Sequence, residues 1–313
     1  MPTASTTSSS PRLMPELPEV EVVRRGLVDH ARGHVITRVE VHDERIFRRS
    51  RHVAAPLSQA CGRRIDEVAR RGKYLWLVLD DGLAVVIHLG MSGQILANDA
   101  RVRMSLPRHT RLSLHLDEYT RLDFVDQRIF GSCWISELVP TTDGHPGGTG
   151  TDLPALPRPL AHIARDPLDP SLAVEDVTRT MRASRRCIKA VLLDQSVLSG
   201  IGNIYADETL HAARVHPLRR ANAATLAQLR DIVASSRDVM MAALAAGGTS
   251  FDSLYVDVAG HPGYFQRELA VYGRTGQPCR TCETPIERME VAGRGTHVCP
   301  ACQIPPRRPR RAR

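Results

Sequence analysis

The chain has 313 residues, 42% hydrophobic and 24% charged, which excludes a disordered polymer and is long enough to bury the cores of two domains. Its net charge of +8 favours a polyanionic partner, although Arg307, Arg308, Arg310, Arg311 and Arg313 supply five of those charges and leave +3 elsewhere. No apolar run approaches the roughly 20 residues of a membrane span, and the Ser- and Thr-rich first thirteen residues lack the apolar core of a secretory signal.

Residues 1–13 read as a disordered extension. At Met14-Pro15-Glu16-Leu17-Pro18-Glu19-Val20-Glu21 a helical pattern begins: Pro18 and Glu19 suit a first turn, Val20, Val23 and Leu27 share a face, and Gly33 ends the segment. Short β-type runs follow at 35–41, 64–69, 73–79, 83–88, 111–116, 120–125 and 133–135, with Asp80-Asp81-Gly82 and Asp117-Glu118-Tyr119 as hairpin turns. Strands with no helices between them predict an antiparallel sandwich or barrel. Residues 140–170, dense in Pro, Gly and Thr, read as a linker. Beyond them the period is helical at 173–181, 188–193, 203–212 and 223–246, with Gly247-Gly248 as the stop and a loop over 249–265.

The whole predicts an α+β multidomain chain. After the extension come an antiparallel β-sandwich domain with an N-terminal helix (14–139), the linker (140–170), and a helical domain with a helix–two-turn–helix (171–268). A four-cysteine zinc finger (269–303) and a basic disordered tail (304–313) complete it.

Seven cysteines, four of them in two C-x-x-C pairs, point to metal binding in a reducing compartment rather than to disulfides. Cys279, Cys282, Cys299 and Cys302 have the spacing of one zinc site, and four thiolates leave no open position on the ion. The expectation is one structural Zn²⁺, worth about 10 kcal/mol or more to a module too small for its own core, and no catalytic metal. Cys61, Cys133 and Cys187 are isolated.

Several loops carry chemistry that suits a phosphate backbone. Ser199-Gly200-Ile201-Gly202-Asn203 leads into a helix, where exposed N–H groups favour an anion, and Lys189 lies one helix earlier. Arg294, in Gly293-Arg294-Gly295-Thr296, sits at a hairpin tip, where a phosphate contact and a solvated turn are equally open. His109 beside Arg108 has the same two readings. Met91 in a Gly-rich loop, and Arg128 two residues before Phe130, have the makings of a wedge that fills the space of an extruded base, or else of ordinary core. Pro15 is a helix-start proline with an amide nitrogen. Were it terminal, its secondary amine would titrate near pH ~8 and be a nucleophile.

Taken together these motifs resemble the bacterial formamidopyrimidine-DNA glycosylases, over about residues 14–302. The resemblance rests on MPELPEVE at 14–21, RRGKYL at 70–75, HLGMSG at 88–93, DQRIFG at 126–131, SGIGNIYADE at 199–208, PGYFQRELAVYGR at 262–274 and the four-cysteine module. It implies a base-excision enzyme that removes oxidised purines, 8-oxoguanine and formamidopyrimidines, from double-stranded DNA and then cuts the abasic strand by β,δ-elimination. Pro15 would be the Schiff-base nucleophile and Glu16 the proton donor that opens the sugar ring. Lys73 and Arg294 would hold phosphates and donate protons in the β- and δ-eliminations. Met91, Arg128 and Phe130 would fill the void, with Arg128 facing the orphaned cytosine, and Lys189, Asn203 and His109 would contact DNA. Glu19 and Glu208 would support the active site, and the 249–265 loop would cover the flipped base.

Ile129 departs from the family, which usually has Arg there. The other departure is the prefix: the resemblance implies translation from Met14 and removal of that Met to free Pro15. A retained prefix would instead imply a non-catalytic damage-binding protein, and an endonuclease VIII-like preference for oxidised pyrimidines is the third reading. The implied protein is a monomer in the cytoplasm, on nucleoid DNA, without membrane or obligate protein partner.

Overall fold

The computed structural model describes residues 14–48, 56–99, 101, 105–249, 258–259, 261 and 264–306. The extension at 1–13, most of the 249–265 loop and the arginines of the tail lie outside the described residues.

Helix α1 (Leu17–Ala31) opens with Glu16 as N-cap and Pro18 in its first turn, where a missing N–H costs nothing. Its buried residues fall at helical spacing but face two cores. Val20, Val23, Leu27 and Ala31 enter the β half, while Leu17 packs among helical residues. The helix therefore rivets the two halves together at its first turn.

The β half is two antiparallel sheets. One has four strands in the order β1 (Arg38–Val41), β6 (Thr110–His115), β7 (Thr120–Asp126), β5 (Gly93–Asp99). The other has five: β2 (Ile65–Arg71), β3 (Tyr74–Leu79), β4 (Leu83–His88), β8 (Ser132–Pro140), β9 (Ala155–Pro157). Leu75, Leu77, Val85, Ile87 and Ile135 meet Ile95, Leu112, Leu114 and Phe124 in the main core. On the outer face of the larger sheet Trp76, Val78, Val86 and Trp134 are covered by Leu156, Leu160 and Ile163. β3 and β4 are thus buried on both faces, which is why they read as unbroken apolar runs instead of alternating ones.

Two sequence expectations need adjustment. Residues 93–99 form a strand, paired with β7 from Gly93↔Asp126 to Asp99↔Thr120. The Pro- and Gly-rich stretch 140–170 is packed: β9 adds to β8, and Arg165 pairs with Asp143 and Asp169.

The helical half comprises α2 (Val174–Ala183), α3 (Ile188–Leu192), α4 (Asn203–Ala212) and α5 (Leu226–Ala245) around Met181, Val191, Ile204, Tyr205, Leu229 and Met240. Thr225 and Gln228 cap α5 reciprocally at 3.1 Å, and Gly247-Gly248, both at positive φ, end it as the sequence implied. The hairpin β10 (Glu287–Val291)/β11 (Arg294–Val298) lies against α4. No helix among the described residues is long and apolar enough to cross a membrane.

Candidate active site and nucleic-acid interface

The start of α1 positions the chemistry. The Glu16 carboxylate reaches across to cap α4, accepting the N–H groups of Gly202 at 2.5 Å, Ile204 at 2.8 Å and Tyr205 at 3.2 Å. Only glycine allows this at 202, because a Cβ there would lie 2.4 Å from the carboxyl carbon. Burial pushes the Glu16 carboxyl up to about 7, against the opposing pull of Lys73 and the backbone donors and with help from Glu19. Glu19 in turn accepts the Glu16 N–H at 2.9 Å, the Tyr205 hydroxyl at 2.8 Å, and the N–H and hydroxyl of Thr249 at 2.8 and 2.7 Å. The Pro15–Glu16 peptide is thereby fixed in orientation. Pro15 is buried, and Met14, which precedes it, lines the adjoining cleft.

That cleft, about 1060 Å³, lies between the two halves and is lined by Glu16, Lys73, Met91, Asn203, Arg288 and Arg294 among others. Lys73 leaves the β2–β3 turn beside Gly72; burial lowers its ammonium, Glu16 resists that shift, and Arg294 adds to it. Asn203 opens α4, donates to the Gly295 carbonyl at 2.9 Å, and keeps a buried Oδ1 with no partner among the described residues. Arg294 is exposed at the start of β11, just past the Ala292-Gly293 turn.

Lys189 corrects the sequence reading. It is fully buried, and its ammonium donates to Asp207 at 2.6 Å, the Thr296 hydroxyl at 2.7 Å and the Gly295 carbonyl at 3.4 Å. Its three donors are used, so it bolts the hairpin to α4 rather than reaching a phosphate.

The structure brings Met91, Arg128 and Phe130 together at the rim. The Asp126 carboxylate accepts the N–H groups of Arg128, Ile129 and Gly131 at 3.2, 3.0 and 2.7 Å, and the Ser92 hydroxyl, joining the two loops. Arg128 donates to the Met91 carbonyl at 2.7 Å, and its guanidinium lies 5.5 Å from the Phe130 ring centroid. Met91 and Phe130 are partly exposed and belong to no core cluster, unlike Leu89 beside them. His109, at φ 68°, accepts the Asp126 N–H on its carbonyl at 3.0 Å and so sits beside the same loop.

Comparison with known proteins shows the family. Family models of the formamidopyrimidine-DNA glycosylase N-terminal domain, its H2TH domain, and the zinc finger found in FPG and IleRS match residues 14–133, 163–254 and 276–304. The formamidopyrimidine-DNA glycosylase of Mycolicibacterium gilvum is 50% identical over 94% of this chain and all of the relative. The chain belongs to the formamidopyrimidine-DNA glycosylase family. The Mycolicibacterium smegmatis enzyme is 49% identical over 95% of this chain and all of its own length. Among solved structures, the MutM (Fpg) protein of Thermus thermophilus is 38% identical with a TM-score of 0.75, covering 92% of this chain and 98% of that one. The Lactococcus lactis Fpg in complex with DNA containing an abasic site is 29% identical with a TM-score of 0.74, covering 92% and 99%.

The family's zinc finger is formed here as the spacing implied. The Sγ atoms of Cys279, Cys282, Cys299 and Cys302 lie within 4.8 Å of one another, with Cys279–Cys302 at 3.9 Å and Cys282–Cys299 at 3.4 Å. Zn–S bonds of about 2.3 Å in a tetrahedron need S···S separations near 3.8 Å, so the thiols fit one structural Zn²⁺. His211, at the end of α4, places Nε2 3.5 Å from the Cys279 sulfur and links the finger to the helical half.

Sequence reasoning missed three contributors. Tyr205 and Thr249 complete the Glu19 cluster, and Arg48 reaches the wedge loop from 81 residues away. Tyr205 lay inside a quoted motif, but nothing local marks Arg48.

Proposed function

We propose that this protein excises oxidised purines, 8-oxoguanine and formamidopyrimidines, from duplex DNA and cleaves the resulting abasic strand. The observation that carries this is a buried carboxyl, held near pH 7, on the residue immediately after Pro15 at the wall of a cleft lined by cations. A free Pro15 amine attacks C1′ as the bond to the base breaks, forming an iminium. Glu16, which burial keeps partly protonated at neutral pH, gives its proton to the sugar ring oxygen as the ring opens. The iminium acidifies the C2′ protons, and loss of one expels the 3′ phosphate from C3′; through the new C2′=C3′ double bond the C4′ proton becomes acidic in turn, and its loss expels the 5′ phosphate from C5′. Lys73 and Arg294, which line the cleft, hold those phosphates and protonate them as they leave.

The wedge residues Met91, Arg128 and Phe130 fill the space of the extruded base, with Arg128 toward the orphaned cytosine. His109 and Asn203 contact the kinked backbone. Lys189 acts through the hairpin that carries Arg294. Glu208 supports the site from behind, its carboxylate accepting the N–H groups of Ala270, Val271 and Tyr272. In this reading residues 14–139, 171–268 and 269–303 are separate domains joined by 140–170, and the protein acts as a monomer on nucleoid DNA in the cytoplasm. The chemistry needs an unacylated Pro15, so the active form starts there; the N-terminal family model begins at residue 14, one residue earlier.

Duplexes carrying 8-oxoguanine, formamidopyrimidine or thymine glycol test the reading directly. Excision of the purines, with both β- and δ-products, is the expected result. Preference for thymine glycol would move the activity to oxidised pyrimidines. Tight binding without strand cleavage, in protein whose intact mass retains residues 1–14, would make it a damage-binding protein.

A further inference from the structure

We propose that Arg48 is a positioning residue for the wedge loop and, through it, for discrimination of the base opposite the lesion. The proposal rests on the glycosylase reading above and extends it to a side chain outside the cleft.

Arg48 ends the 3-10 turn Glu44–Phe47. That turn is a firm platform: Ile46 is in the main core, and Asp43 accepts the Arg45 N–H at 3.1 Å and an Arg111 guanidinium N–H at 2.9 Å. From there the Arg48 guanidinium donates to the carbonyl of Ile129 and stands 6.0 Å from the Phe130 ring centroid. With Arg128 at 5.5 Å, at least two guanidiniums attend the ring.

Ile129 shows why an outside hold is needed. Its φ is 56°, in the left-handed region, where a β-branched side chain is strained. A residue stays there only when its surroundings over-determine it. Here the Ile129 side chain is buried, Asp126 takes its N–H, and Arg48 takes its carbonyl. Between β7 and β8 the loop has no ladder of its own, so these bonds set where Phe130 and Arg128 point. Asp126 holds the loop from within, Arg111 of β6 donates to the Asp126 and Gln127 carbonyls at 2.8 and 3.4 Å at its start, and Arg48 adds a hold at Ile129, next to Phe130, from a distant segment. Its loss leaves Glu16, Lys73 and the Pro15–Glu16 peptide untouched and loosens only the part that meets the opposite strand.

The test compares Arg48→Ala, Arg48→Lys and the parent protein on 8-oxoguanine paired with cytosine, on 8-oxoguanine paired with adenine, and on a single-stranded abasic oligonucleotide trapped with borohydride. The single strand has no opposite base, so the wedge has nothing to read. Losing one charged hydrogen bond and a cation–π contact should lower kcat/KM on the cytosine duplex roughly three- to tenfold. The cytosine-to-adenine ratio should narrow, trapping on the single strand should stay at parental yield, and Arg48→Lys should recover part of the ratio. An unchanged ratio, or equal losses on duplex and single strand, would overturn the proposal. Should Arg48→Ala not fold, Arg48→Gln gives the same comparison. A parent protein inert on all three substrates would instead refute the glycosylase reading.

Discussion

Two glutamates five residues apart at the start of one helix, its N-cap Glu16 and Glu21 within it, are both buried and end with opposite character. Burial raises Glu16 to about 7, and the charge of Lys73 and the α4 amides offset it only in part. Burial also disfavours the Glu21 anion, but hydrogen bonds from Arg24 and the charge of Arg70 overcome that and bring its carboxyl down to about 2. Glu21 is one arm of a buried network in which Arg70 also pairs with Asp166 at 2.7 Å, tying α1, β2 and the 140–170 segment together. The lesson is that depth alone does not make an acid catalyst. Glu16 meets backbone N–H groups and one lysine, which only partly offset its burial and leave its proton available, whereas Glu21 meets guanidiniums, which make it a permanent anion and a structural tie.

The comparison breaks first at Glu16. Glu16→Gln keeps an acceptor for the α4 amides but cannot donate to the sugar, so single-turnover base excision should fall about 10²- to 10⁴-fold while lesion-duplex affinity holds. At the other glutamate the loss should be one of stability. Arg70→Met strands two buried carboxylates and should cost about 3–5 kcal/mol in urea unfolding, without moving the pH profile of excision. The pH dependence then separates the pair. Glu16 has a folded pKa above its unfolded value, so its contribution to stability is full below about 4.5 and is lost as pH rises through about 7. Excision should decline over that same upper limb. Glu21 has the opposite sign: its contribution is present above about 4.5 and lost as pH falls toward 2. Melting curves against pH for the parent, Glu16→Gln and Glu21→Gln should show each limb vanish with its own residue. The smallest effect belongs to Arg294→Ala, which should reduce the salt slope of DNA binding by about one unit.

Much of this was legible in the sequence, where the signal was local. The apolar runs of β3 and β4, the turns between β3 and β4 and between β6 and β7, the Gly247-Gly248 stop and the cysteine pairs each carry their own physics within a few residues. β5 was not legible, because it opens on Gly93 and buries only Ile95 deeply, so it looks like the continuation of a glycine loop. The 140–170 stretch hid its packing behind turn-forming residues, although Arg165 and Asp166 are buried. Lys189 shows a different limit. Its position beside the two-turn motif was readable, but Asp207 and Thr296, which consume its donors, are 18 and 107 residues away. Arg48 fails for the same reason, since its partner is the carbonyl of a residue on another strand connection.

The claim that joins these observations is that Pro15 is the nucleophile and Glu16 its acid. Protein whose chain starts at Pro15, incubated with an 8-oxoguanine duplex and borohydride, should give one covalent adduct that peptide mass spectrometry places on Pro15. Its yield from the intact lesion should collapse in Glu16→Gln yet persist from a preformed abasic site. No adduct, or one located on Lys73 or another amine, would contradict the account.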